Sequence, residues 1–127
     1  MKVSIITVSY NSEKTIAHTI ESVLAQTYDD IEYWIIDGKS SDGTVALAES
    51  YCNAMEQKGI IYHILSEPDG GIYDAMNKGI KLASGDIIGI INSDDFYKSN
   101  NVIATVANAF NDNSIDVVFG NIQFVNP

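Results

Sequence analysis

The chain has 127 residues, 46% hydrophobic and 19% charged, the balance of one folded domain with its own core and not of a disordered segment. Seventeen acidic residues against seven basic ones give a formal net charge of −10, which excludes a binder of nucleic-acid backbone, a task that needs a basic stripe. A phosphate-bearing ligand must therefore be met by a metal ion or by local backbone dipoles, because the global field opposes it.

Residues 3–8 read as a short, β-branched buried strand, ended by the polar Ser9, Tyr10 and Asn11. Asn11 or Ser12 is placed to cap a helix in which Ile16, Ile20, Val23 and Leu24 recur at helical spacing. Residues 31–36 form a second strand, closed by Asp37 and Gly38. Ser40 or Ser41 then caps a second helix with Val45, Ala48, Cys52 and Met55 on one face. That phase makes Cys52 a core packing residue. As the only cysteine it closes no internal disulfide, consistent with a reducing compartment.

A third strand is expected over 60–65, and the loop Glu67-Pro68-Asp69-Gly70-Gly71 follows it. A third helix carries Ile72, Met76, Ile80 and Ala83 inward and stops at Gly85. Residues 86–91 are a fourth strand, a fourth helix buries Ile103, Val106, Ala107 and Phe110, and 115–119 begin a fifth strand. The chain stops at Asn126 and Pro127 just after that strand, which reads as a truncation. Met1 and Lys2 lead into a strand and not into a long apolar segment, and no run approaches the roughly 20 apolar residues that span a bilayer.

Alternation of near-continuous apolar strands with helices predicts a mostly parallel sheet covered on both faces, a Rossmann-like α/β fold in a single domain over 1–127. Ligands of such sheets bind beyond the carboxyl ends of the strands. Ser9-Tyr10-Asn11, Asp37-Gly38, the Asp69-Gly70-Gly71 loop and Asn92-Ser93-Asp94-Asp95 all fall at that edge. Adjacent carboxylates repel unless a cation or donors neutralise them, and hard oxygen ligands suit Mg²⁺ or Mn²⁺ on a substrate phosphate. The plain alternative is a polar turn that only ends a strand. Neither a Gly-x-Gly-x-x-Gly turn nor a P-loop lysine follows the first strand, and nucleophile elbows and Cys/His metal spacings are missing. A signalling receiver domain would carry its acidic pair after the first strand, whereas here the pair follows the fourth.

In this order the motifs resemble those of the family 2 glycosyltransferases, which have the GT-A fold. The matching stretches run over 3–11, 22–27, 36–44, 67–79 and 83–95, and the segment from Glu67 to Asn77 looks like the bacterial branch that builds exopolysaccharide, capsule or O-antigen. The resemblance implies an inverting transfer from a nucleotide-diphosphate sugar to a saccharide or lipid-linked saccharide acceptor. A cytoplasmic setting is expected, peripheral at the inner face of the membrane, and a homo-oligomer is compatible with it. Thr7, Val8 and Tyr10 match the strand end that borders the base, and Asp37 the acidic position near base and ribose. Asp94 matches the position facing ribose or sugar, and Asp95 is the favoured ligand of Mg²⁺ or Mn²⁺, with Asp94 beside it. Asp69 is placed near the donor sugar unless it only forms a turn.

Asp74, Asn77, His18, His63 and Trp34 are expected to be structural, and Lys78 solvated. Two positions depart from the pattern: Gly38 stands where many relatives are acidic, which leaves bases other than uracil open, and Asn92 opens the metal motif. An inverting transfer also needs a general base. Beyond Asp95 only Asp112 and Asp116 are acidic, and both belong to the wrong edge. No catalytic residue is therefore assigned. The chain is expected to be the donor-binding part of a longer enzyme, with a non-catalytic nucleotide-binding or interaction domain as the alternative.

Overall fold

Apolar runs at Val3–Ser9 (β1), Ile31–Asp37 (β2), Ile61–Ser66 (β3) and Ile87–Ile90 (β4) pair into a parallel sheet of order β3-β2-β1-β4 in the computed structural model, which describes residues 1–111. The expected fifth strand, Asp112 and Asp116 lie outside the described residues. Side chains alternate along β1. Val3 and Ile5 join Ile31, Tyr33 and Ile35 under helices α1 (Ile16–Leu24), α2 (Thr44–Glu49), α3 (Cys52–Lys58) and α5 (Val102–Ala109). Ile6 and Val8 join Ile36 on the other face, under α4 (Ile72–Leu82). Period-two alternation on a sheet covered from both sides explains why the central strands carry apolar residues on both faces and are buried almost throughout. In register, Ser9, Asp37 and Ser66 stand side by side at the carboxyl edge.

Several local expectations are corrected. The helix after β1 starts at Ile16 without a side-chain cap, its first turn closed by the N–H groups of Thr15 and Ile16 donating to the Ser12 carbonyl. Asn11 instead takes a left-handed φ of 48° and accepts at Oδ1 from the Ser41 N–H, 2.8 Å away. The single helix expected after β2 is two helices, because a turn at Ser50 and Tyr51 takes up the last carbonyls of α2. Ala48 and Met55 keep their buried places, but Cys52 starts α3 facing solvent. Asp42, and neither Ser40 nor Ser41, accepts from the first N–H of α2, at Thr44.

On α4 the fully buried residues are Ala75 and Gly79; Met76, and Ala83 just past the helix end, pack partly buried beside them as expected, while Ile72 and Ile80 are exposed. The helix approaches the sheet most closely at Gly79, where a Cβ would stand 2.6 Å from Ile6 Cγ2, so no side chain fits at that point. β4 is likewise less buried than its sequence predicts, with Ile88 and Ile90 exposed at an edge strand of the described sheet.

The loop after β4 is held from α1 by a buried amide. Gln26 donates to the carbonyls of Ser22 and Ser99 and accepts from the Ile103 N–H, over 2.7 to 3.0 Å. Tyr97 N–H donates to Ser22 Oγ, 3.1 Å away, and the Thr27 N–H to the Asn100 carbonyl, at 2.8 Å. The stretch from Ser22 to Thr27 thus fixes the segment that follows the acidic pair.

Candidate functional site

Where parallel strands end, backbone groups and short polar side chains are freed to face a ligand. A cavity of about 720 Å³ opens there. Val8, Ser9, Tyr10 and Ser12 form its wall after β1, and Gly38 its floor after β2. Pro68, Asp69 and Gly71 come from the loop before α4, and Asn92, Ser93 and Asp94 close the side after β4. Tyr10 is 64% exposed, so its ring face is open to a planar ligand.

Of the residues singled out in the sequence, the fold brings Val8, Tyr10, Asp69 and Asp94 into this cavity and leaves Thr7, Asp37 and Asp95 out of its lining. Thr7 is fully buried and its hydroxyl pairs with Tyr33 Oη at 2.7 Å, below the other face of β1. Asp37 is 1% exposed, and its carboxylate is fully engaged. Oδ1 accepts from the hydroxyls of Ser9 and Ser40, and Oδ2 from the Ser40 N–H and the Ser66 hydroxyl, all within 2.6 to 2.8 Å. Burial pushes its pKa up, but the donors on Ser40, Ser66 and Ser9 outweigh it and hold the group below the usual carboxylate value. Asp37 is a clamp joining three strand ends.

The acidic pair divides its two side chains. A turn closed by Asp95 N–H donating to the Asn92 carbonyl, 3.0 Å away, separates them, and Thr19 Oγ1 donates to the Asp95 carbonyl from α1. Asp94 lines the cavity; Asp95, expected as the favoured metal ligand, does not. Burial, and then the charge of Asp94 beside it, raise the Asp95 pKa. Ser93 is buried and shares a 2.7 Å hydrogen bond with Ser12, tying the turn to the β1 wall.

Asn92 Oδ1 is the one buried side-chain polar atom among the described residues without a hydrogen-bond partner. An orphaned acceptor of this kind in a cavity wall calls for a ligand donor or a cation. Among the described residues no three His, Cys, Asp or Glu side chains converge well enough to hold a metal by themselves. Asp94 and Asn92 fit a hard ion that keeps its waters and takes the rest of its shell from a substrate phosphate.

The 67–71 loop is pinned from α4. Lys78 Nζ, expected to be solvated, donates to the Pro68 carbonyl at 3.0 Å and pairs with Glu67 at 3.1 Å. Asp74 Oδ2 accepts from the Gly70 N–H at 2.8 Å, and Gly71 takes a left-handed φ of 111° that suits glycine. Asp74 therefore serves the loop, as expected of a structural residue. Trp34 packs on the sheet and stacks with His63, ring centroids 4.3 Å apart.

Ser9 and Ser93 are legible in the sequence only as members of polar strand ends, and Ser12 only as a helix-cap candidate, because isolated serines carry no periodic signal that would give them a place in the cavity wall. Gly38 is legible as a strand end at that edge and for the carboxylate it lacks, but not as part of the cavity's floor.

Comparison with known proteins adds independent findings. The family described as Glycosyl transferase family 2 matches residues 4–127. An uncharacterized glycosyltransferase of Mycobacterium tuberculosis, Rv1514c, is 44% identical over 108 residues, covering 84% of this chain and 39% of that protein. WfgD of Escherichia coli is described as a UDP-Glc:alpha-D-GlcNAc-diphosphoundecaprenol beta-1,3-glucosyltransferase. It is 34% identical over 124 residues, 98% of this chain and 47% of its own. The chain thus spans less than half the length of either relative. S. aureus TarS 1-349, solved in complex with UDP-GlcNAc, superposes with a TM-score of 0.73 at 30% identity, covering 89% of this chain and 32% of that one.

Proposed function

The chain belongs to glycosyl transferase family 2 and has the GT-A fold, and on that premise we propose that it holds the nucleotide-diphosphate sugar donor of an inverting glycosyl transfer, with Mg²⁺ or Mn²⁺ on the diphosphate. The observation that carries this reading is the pairing of the Asp94 carboxylate with the orphaned Asn92 oxygen in one cavity wall. Such an ion, when bound, offsets the negative charge that grows on the leaving diphosphate. The protein's part is positioning. The turn anchored by Thr19 and Ser12 fixes Asn92 and Asp94, and the Asp37 clamp sets Gly38 and the β1 end at the height of the nucleoside. Asp94 is the principal ligand, and Asp95 adds negative field from outside the lining.

Beyond Asp95 the described residues include no carboxylate. We place the base that activates the acceptor hydroxyl outside them, in the length by which relatives exceed this chain. A lipid-linked saccharide at the inner membrane face is the acceptor class proposed, since WfgD is named for one. Among the described residues no helix is long and apolar enough to cross a membrane.

Titration calorimetry with UDP tests the site. Binding is expected to depend on Mn²⁺, to lose that dependence in Asp94→Ala, and to keep part of it in Asp95→Ala. Equal affinity with and without Mn²⁺, or an unaffected Asp94→Ala, removes the metal reading. Sugar transfer by the 127 residues alone refutes the placement of the base.

A further inference from the structure

The cavity runs across the strand order, from Asn92 and Asp94 beyond β4, past Val8 and Tyr10 of β1, to Gly38 beyond β2. Two strand spacings, about 10 Å, separate its ends. If the diphosphate lies at Asp94, as proposed above, the ribose and base extend toward Gly38. Of the two carboxylates that line the cavity, Asp94 belongs to the other end and Asp69 to this one, since the Asp37 carboxylate is buried outside the lining. Asp69 Oδ2 lies 3.0 Å, and Oδ1 3.3 Å, from where a Cβ on residue 38 would stand. The side chain therefore occupies space that Gly38 leaves open, and it is only partly buried.

Its two oxygens are not equivalent. Oδ1 accepts from the Gly71 N–H at 3.0 Å and so fixes the carboxylate in the loop. Oδ2, the nearer to Gly38, has no hydrogen-bond donor among the described residues. We propose that Asp69, seated over Gly38, is the residue that reads the nucleobase, and that it selects uracil.

The chemistry of the edges decides between bases. An ionised carboxylate only accepts. Cytosine and adenine present a ring-nitrogen lone pair at the pairing edge, which repels it, whereas uracil presents a single N3–H. Guanine presents two adjacent N–H donors, and one free oxygen leaves one of them unpaired. Leaving a polar group unpaired is what makes a hydrogen-bonding site discriminate. Val8 and the exposed ring of Tyr10 supply the apolar contact on the base itself.

Calorimetry on the full chain with Mn²⁺ and four probes, UDP, CDP, GDP and pyrophosphate, separates this proposal from the donor-site reading it rests on. Wild type is expected to prefer UDP over CDP and GDP by about tenfold or more. Asp69→Asn keeps the acceptor for Gly71 and so the loop, but its amide can also donate to cytosine N3. It should bring UDP and CDP to within about twofold while leaving pyrophosphate affinity unchanged. Gly38→Ala, whose methyl pushes Asp69 aside, should narrow the UDP preference in the same direction. An unchanged UDP to CDP ratio in Asp69→Asn, or a wild-type preference for GDP, overturns the proposal while pyrophosphate binding preserves the metal site. Failure of wild type to bind pyrophosphate or any nucleotide with Mn²⁺ overturns both.

Discussion

Replacing Asp37 separates a clamp from a ligand. Its carboxylate accepts four hydrogen bonds at the strand ends, from the hydroxyls of Ser9, Ser40 and Ser66 and from the Ser40 N–H. Bonds to a charged acceptor contribute about 1.5–3 kcal/mol each, but three of these donors are hydroxyls that can turn toward other acceptors or water. The Ser40 N–H cannot turn. Asp37→Ala should therefore cost about 3 kcal/mol and lower the melting temperature by roughly 10 °C. Asp37→Asn can keep its oxygen toward the Ser40 N–H and offer its amide to the hydroxyls, so its cost should be about 1 kcal/mol. Because the folded pKa is depressed, the charge stabilises fully above the unfolded value and is lost as pH falls through the folded one. The gap between wild type and Asp37→Ala should accordingly be constant near pH 7 and shrink in acid. Circular dichroism melts across that range check both statements. A variant that melts like wild type yet no longer binds UDP would falsify the clamp and make Asp37 a ligand.

Gly79→Val places carbon where a Cβ alone already meets Ile6 at 2.6 Å, so it should cost about 2 kcal/mol in urea unfolding despite the better helix propensity. A neutral result means α4 can slide on the sheet. Gln26→Leu matches the shape but strands the Ile103 N–H and two carbonyls, for a loss of about 3 kcal/mol; wild-type urea stability would show the amide to be dispensable. Cys52 faces solvent at the start of α3, so a thiol reagent should label it fully in the native protein, and protection until unfolding would restore the single buried helix.

The order of elements was legible because apolar β-branched runs and helical spacing are strong one-dimensional signals, and the parallel sheet followed from them. Side-chain phase was harder to read where something non-local set it. The exposure of Cys52 depends on a turn at Ser50 and Tyr51, where neither glycine nor proline marks a break. On α4, Met76 and Ala83 pack inward as read, but Ile72 and Ile80 were misjudged because large apolar residues normally point to a core, and here the helix meets the sheet most closely at Ala75 and Gly79. Of the cavity, the sheet edge where it opens and four of its lining residues, Val8, Tyr10, Asp69 and Asp94, were readable. The division between Asp94 and Asp95 was not, since a single turn decides which carboxylate faces the cavity.

Composition made the acidic residues conspicuous without sorting them. Hydrogen-bond accounting sorts them. Asp37 and Glu32 are buried, and their donors more than offset the cost of burial, so both titrate below the usual carboxylate value. Asp74 is taken by Gly70 and Lys78. A carboxylate satisfied by its own fold has little left for a ligand, whatever motif it belongs to. Asp94 lines the cavity beside an orphaned amide oxygen, and Asp69 presents an oxygen over Gly38 that no described donor reaches. In a chain of net charge −10, the overall field opposes an anionic diphosphate. On the function proposed above, it is held where unspent oxygen ligands recruit a cation first, at the end of the cavity lined by Asn92 and Asp94.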